Sequence, residues 1–130
     1  MKLLLDTHVA LWATAEPERI PRSVVELMTA PSAQNVVSVV SLWEIAIKRS
    51  SGRKPSIVPV SAAEAKSLFE SAGFSILAVQ PEHAIAVEAL PPLHRDPFDR
   101  LLAAQALIEP ARLVTHDATL ARYSDLAIHF

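Results

Sequence analysis

An α/β fold, a three-layer α/β/α sandwich around a mostly parallel sheet, is expected from this sequence on two grounds. Short apolar runs of strand length alternate along the chain with segments whose apolar residues recur at helical spacing, the pattern of strands joined by helical crossovers. The opening run Lys2-Leu3-Leu4-Leu5 lacks polar alternation, so it reads as a strand buried on both faces, as inside a covered parallel sheet. That strand ends in an acid, Asp6. In open α/β sheets the C-terminal strand edge collects ligands, because loops and helix N-termini converge there.

The remaining elements follow in order. Thr7 to Ala15 places Val9, Trp12 and Ala13 at helical spacing and stops before Glu16-Pro17. A second helix is expected after Ile20, with Pro21 near its first position, where a missing N–H costs nothing, and Val24, Val25, Leu27 and Met28 on its apolar side. Pro31-Ser32-Ala33 ends it, and Asn35 to Ser38 is a short β-branched strand. From Val39 to Arg49 the period changes: Val40, Trp43 and Ile47, with Leu42, Ile45 and Ala46 beside them, make a helix with a broad apolar face. Ser38 or Ser41 can cap it, and Glu44 stands in capping-box register with Ser41.

Ser50 to Pro59 reads as an exposed loop, with Lys48, Arg49, Arg53 and Lys54 just before or within it. Ser61 caps a helix over Ala62 to Ser71, closed by Gly73 at C′. Phe74 to Val79 is a third strand, and Pro81-Glu82 opens a helix through Leu90 that Pro91-Pro92 ends. Leu101 to Ile108 is Ala- and Leu-rich and should be nearly buried. Ala111 to Thr115 is a fourth strand, His116-Asp117 a turn, Ala118 to Tyr123 a short helix and Ala127 to Phe130 a closing strand.

The 130 residues suit one domain, 1–130, large enough for its own core. Without cysteine there is neither a disulfide framework nor a thiolate ligand or nucleophile, which fits a reducing cytoplasm. No apolar run approaches the roughly 20 residues of a membrane span, and the N-terminus carries no signal-peptide pattern, so a cytoplasmic protein without membrane contact is expected. A net charge of −2 argues against indiscriminate coating of nucleic acid, but an acidic pocket can offset a basic rim in that sum. With only two glycines, the dinucleotide and Walker-type phosphate loops are excluded.

Four acids stand out, each with an ordinary structural use. Asp6 and Asp117 both follow a strand and can cap the next helix. Glu44 can pair with Lys48 one turn on, yet it interrupts an apolar surface, where an acid is unfavourable unless something binds it. Asp96-Pro97 is an N-cap followed by Pro at N1, which puts Asp99 at N3, over the helix mouth and towards the strand ends. All four, with Asp96 in reserve, fall at one sheet edge or on helices that begin there. Crowded carboxylates raise one another's pKa and favour a cation, and oxygen-only ligation suits Mg²⁺ or Mn²⁺. His8, His83, His94, His116 and His129 show no zinc-site spacing and read as surface or loop residues, with His8 and His116 near the pocket rim. The nucleophile elbow of Ser-His-Asp hydrolases is absent.

Four stretches, in this order and spacing, resemble the PIN-domain ribonucleases and are similar to the VapC toxins of bacterial toxin–antitoxin pairs: Leu4-Leu5-Asp6-Thr7-His8-Val9-Ala10-Leu11-Trp12; Ser38 to Lys48; His94-Arg95-Asp96-Pro97-Phe98-Asp99-Arg100 through Ala106; and Leu113-Val114-Thr115-His116-Asp117. The resemblance implies a PIN-like sandwich and a Mg²⁺- or Mn²⁺-dependent endoribonuclease that is dimeric and whose active-site groove an antitoxin covers. It implies Asp6, Glu44, Asp99 and Asp117 as the acidic constellation, and Thr115 as the residue orienting the pocket from the strand end. Thr7, Asp96 and Arg100 are further candidates for pocket support, and the Arg53 loop, Arg95 and Arg100 for phosphate contacts. A PIN-like nuclease acting on DNA and a non-catalytic module that binds RNA or protein are the alternatives.

Overall fold

The computed structural model describes residues 1–51 and 59–130. Its five-stranded sheet comprises β1 (Lys2–Leu5), β2 (Gln34–Ser38), β3 (Ser75–Leu77), β4 (Arg112–Thr115) and β5 (Ile128–His129), all parallel, in the order β3-β2-β1-β4-β5. The helices among the described residues are α1 (Thr7–Ala15), α2 (Arg22–Thr29), α3 (Val39–Ser50), α4 (Ala62–Ser71), α5 (Pro81–Ala86), α6 (Pro97–Ile108) and α7 (Ala118–Ala121).

Successive side chains of a strand point to opposite faces, and here both faces are covered. Leu3, Leu5, Val37 and Val114 point to one side and join Val9 and Ala10 of α1, Val24 and Met28 of α2, and Ala65 and Phe69 of α4. Leu4, Val36 and Leu113 point to the other, against Leu102, Ala103 and Ala106 of α6 and Leu120 of α7. This double burial is why β1 carries leucine at three successive positions. The chain winds outward from β1 through β2 to β3, then returns to β4 on the other flank of β1. The direction of winding therefore reverses between β1 and β4, and the crevice above their C-terminal ends is the switch point where such sheets bind ligands.

Several local expectations shift. Pro21 is the N-cap of α2 rather than its first residue, and α5 tightens after Ala86 into a 3-10 turn over Val87–Ala89 instead of continuing through Leu90. Ser38 caps α3, its Oγ accepting the Val40 N–H at 2.9 Å, so Glu44 has no capping-box role with Ser41. The broad apolar face of α3 divides: Val40 and Ile45 enter the core, while Val39, Trp43 and Ile47 are exposed. In α6, Leu102 to Ala106 are buried but Leu107 and Ile108 emerge at its end. Arg53 and Lys54 lie outside the described residues.

His83 is the clearest correction, since it is wholly buried rather than at the surface or in a loop. Its Nδ1 accepts the Gln80 N–H at 2.9 Å, which leaves Nε2–H to donate to Glu109 Oε2 at 2.6 Å. The imidazole thereby latches the start of α5 to the C-cap of α6. At α4 the predicted cap forms fully: Ser61 Oγ accepts the Glu64 N–H at 3.1 Å and Glu64 Oε1 accepts the Ser61 N–H at 3.2 Å. Ser61→Ala should lower stability by about 1 kcal/mol. In urea unfolding this appears as a lower midpoint at unchanged slope.

Candidate metal centre

The site begins with the register of β1 and β4. Leu5 is paired with Val114, and the Asp6 N–H donates to the Val114 carbonyl at 3.0 Å, so Thr115 comes to lie beside Asp6. Asp6 keeps its capping role, with Oδ1 accepting the Val9 N–H at 2.8 Å, while Oδ2 accepts the Thr115 hydroxyl at 2.5 Å. The same Thr115 Oγ1 accepts the Asp117 N–H at 2.9 Å. One hydroxyl thus sets the spacing between the strand end that carries Asp6 and the turn that carries Asp117. Asp117 caps α7, with Oδ1 accepting the N–H groups of Thr119 and Leu120 at 2.8 and 3.0 Å, and so turns Oδ2 towards the crevice.

Glu44 reaches the same region from α3 and is only 4% exposed. Thr7 Oγ1 donates to its Oε1 at 2.7 Å and lies 2.8 Å from Ser41 Oγ, while Lys48 Nζ donates to Oε2 at 2.6 Å. The expected Glu44–Lys48 pair is therefore present, and Thr7, the residue after Asp6, ties Glu44 to the start of α1.

At the mouth of α6, Asp96 is the N-cap, its Oδ1 accepting the Phe98 N–H at 2.9 Å, with Pro97 at N1 and Asp99 at N3. Asp99 meets His94, whose Nε2 lies 3.2 Å from Asp99 Oδ2 and 2.8 Å from Asp117 Oδ2. The Asp96 N–H donates to His94 Nδ1 at 3.1 Å, so the ring proton sits on Nε2, between the two acids. Arg100 donates to the carbonyls of Pro91 and Val87 and to the Tyr123 hydroxyl, each at 3.2 Å. It supports the pocket indirectly, because Tyr123 Oη also accepts the His94 N–H at 2.9 Å. Arg95 is exposed.

These contacts make an electrostatically loaded crevice. Burial pushes the Asp99 carboxyl up to about 7, reinforced by the negative charges of Asp96 and Glu44 and also of Asp117, with His94 opposing. Burial likewise raises Asp6, outweighing its bonds from Thr115 and the Val9 N–H. For Asp117 burial acts upward, but the hydrogen bonds from His94 and from the Leu120 and Thr119 amides hold it below the usual carboxylate value. His94 behaves inversely: burial disfavours its charged form, yet the bond to Asp117 and the charges of Asp99, Asp117 and Asp96 raise its pKa.

The donor set fits a hard divalent cation. The structure brings two of the four acids, Asp99 and Asp117, together around His94, with ligand atoms of the three within 4.8 Å of one another, a grouping that does not include Asp6 or Glu44, and carboxylate oxygens of this kind suit Mg²⁺ or Mn²⁺. His94, with its proton on Nε2, is a donor to this group rather than a ligand. Sequence reasoning passed over His94 and Tyr123; the available signal was the position of His94 two residues before an N-cap, where Nδ1 can reach the cap's N–H.

A PIN domain family model matches residues 3–126. Ribonuclease VapC22 of Mycobacterium tuberculosis is 32% identical over 119 residues, covering 91% of this chain and 88% of that protein. Among solved structures, VapBC2 from Rickettsia felis bound to a promoter DNA fragment superposes with a TM-score of 0.69 at 20% identity, covering 100% of this chain and 98% of the other. DNA-bound VapBC from Salmonella typhimurium gives 0.67 at 16% identity, covering 100% and 97%. The structural likenesses speak for the fold, and the family match with the VapC22 identity speaks for descent. The chain belongs to the PIN domain family, among the ribonucleases of VapC type.

Proposed function

We propose that this chain is a Mg²⁺- or Mn²⁺-dependent endoribonuclease, the toxin of a toxin–antitoxin pair, with Asp6, Asp99, Asp117 and Glu44 as its metal-binding and catalytic acids. The observation that carries the reading is the meeting of Asp99 and Asp117 at His94 Nε2, 3.2 and 2.8 Å away, at the switch point of the sheet, where burial and neighbouring acids push Asp99 up to about 7. Crowding of this kind is unfavourable in the bare protein and is relieved by a bound cation. Asp6, Asp99 and Asp117 would hold the ion. Glu44, held by Thr7 and Lys48, adds its charge at the margin.

A divalent ion there supplies an activated water at neutral pH and charge stabilisation at phosphorus. Hydrolysis would form one P–O bond to a water oxygen and break the one to the leaving sugar oxygen, the water losing a proton to the medium and the leaving oxygen taking one up. Thr115 fixes the spacing of Asp6 and Asp117, and His94 holds a proton at Nε2 between Asp99 and Asp117.

Purified chain incubated with matched single-stranded RNA and DNA, under Mn²⁺, Mg²⁺ or a chelator, tests this directly. RNA should shorten with either metal and survive the chelator. RNA that stays intact under every metal condition overturns the reading, and DNA cut as readily as RNA assigns the chain to the DNA-nuclease alternative.

The solved neighbours from Rickettsia felis and Salmonella typhimurium are VapBC assemblies, which supports an antitoxin protein as a partner; a second copy of the chain is proposed from the family resemblance alone. The exposed row Val39, Trp43 and Ile47 on α3 is apolar surface that such an assembly would cover. No helix among the described residues is long and apolar enough to cross a membrane. With no cysteine to oxidise, the reducing cytoplasm is the compartment we assign.

A further inference from the structure

A cleft of about 890 Å³ opens from Asp6 and Asp117 along α1 as far as Arg19, walled by Leu11 and Leu68. Its middle is aromatic. The Trp12 ring stands 5.3 Å from His116, edge to face, 6.1 Å from His8 and 6.2 Å from Phe130, centroid to centroid. Arg19 lies over the indole, with Cζ 4.4 Å from the ring centroid. His8, Arg19 and His116 are exposed, while the half-buried Trp12 and Phe130 rest on the core, so the group is a platform on the cleft wall seated on packed side chains. None of these rings is needed to hold a cation, yet the cleft that Trp12, His8 and His116 line also includes Asp6 and Asp117.

We propose that this cleft is a nucleobase pocket, in which Trp12 stacks the base of the single-stranded RNA nucleotide next to the phosphate at the acids, and Arg19 serves the backbone. The proposal rests on the ribonuclease reading and names where that substrate is gripped. Single-stranded RNA is bound through bases splayed onto aromatic rings or guanidinium planes, with cations along the phosphates. Arg19 can give up the indole face, because its other tether is an ion pair to Glu16 at 3.2 Å in which both side chains are 52% exposed. Pairs of that kind hold weakly, and base stacking on an indole outweighs an exposed cation–π contact. The cleft volume is that of a pocket taking a ligand of nucleotide size.

Trp12 and Trp43 are the two tryptophans of the chain, so Trp43→Phe leaves Trp12 as the sole indole reporter. Adding Asp99→Asn keeps the RNA intact. In this double variant a single-stranded RNA decamer should quench the emission saturably, and a decamer of abasic sugar-phosphates should not. Trp12→Leu in the Asp99→Asn background should weaken RNA binding about tenfold and leave abasic-strand binding unchanged. RNA that leaves the emission unaltered, or an abasic strand that quenches equally, overturns the pocket, and the quenching measurement stands even where Trp12→Leu fails to fold. Cleavage by the unsubstituted chain with Mn²⁺, run in parallel, separates the two readings. Cleavage without quenching removes the base pocket alone; quenching without cleavage removes the nuclease reading alone.

Discussion

Replacing Asp99 with Asn is expected to lower metal-dependent RNA cleavage on the order of a thousandfold and, in metal-free protein, to make the fold more stable. The loss follows from the role proposed for Asp99, since removing a ligand forfeits several kcal/mol of charge stabilisation in the transition state. The gain follows from electrostatics. Asp99 moves from an ordinary 3.8 to about 7 on folding, so the folded chain binds a proton more tightly there than the unfolded chain does. A carboxyl raised in this direction reduces stability as pH rises through the interval between those two values, and the full cost stands above about 7. That cost is roughly 4 kcal/mol at most, taking about 1.4 kcal/mol for each pH unit.

Urea unfolding in chelator at pH 5 and pH 8 should therefore find the unsubstituted chain weaker at pH 8, and Asp99→Asn should narrow that difference, leaving the share that comes from the raised Asp6 and His94. Saturating Mn²⁺ should restore stability to the unsubstituted chain by binding its folded form, and do little for the variant. A variant that still cuts RNA at near-parent rates, or that is less stable than the unsubstituted chain at pH 8, would end the role assigned to Asp99.

Thr115→Val should reduce cleavage roughly 10- to 100-fold, the usual cost of losing a group that orients metal ligands. Valine keeps the shape of threonine but removes the hydroxyl that donates to Asp6 Oδ2 and accepts the Asp117 N–H. The buried Asp6 carboxylate and the part-buried Asp117 N–H are each left short of a bond, which costs roughly 1–3 kcal/mol of stability. Thr115→Ser retains the hydroxyl and should recover most of the activity, whereas a purely packing role would favour valine over serine. Calorimetric Mn²⁺ titration adds an independent readout, because Thr115→Val should weaken metal binding by a factor similar to its loss of cleavage. Equal metal affinity in the valine and serine variants would show that Thr115 does not position the acids.

Where the chemistry is local, the residues could be read directly. Asp96-Pro97 followed by Asp99 at N3 is a statement about four consecutive positions, and helix geometry puts Asp99 at the mouth of α6 whatever surrounds it. The cap at Ser61 and the strand ending at Asp6 are of the same kind. Asp6 and Asp117 also show that capping and site-building are compatible: one carboxylate oxygen caps the helix and the other enters the crevice. The latch made by His83, the place of His94 between the acids and the hold of Arg100 on Tyr123 are not legible in the sequence, because the partners, Glu109, Asp117 and Tyr123, are more than twenty residues away in the chain. Glu44 was a half-success, with Lys48 visible one turn on and Thr7 hidden across the fold.

Apolar periodicity and caps in the chain were enough to settle the alternation of strands and helices, the double burial of β1 and the delivery of acids to strand ends, because each depends on neighbours within a few residues. Parallel pairing of β1 with β4, the Thr115 bridge and the His94 wedge between Asp99 and Asp117 emerged only on assembly. They depend on which distant strand ends come to lie side by side, and that is chosen by packing both faces of the sheet at once.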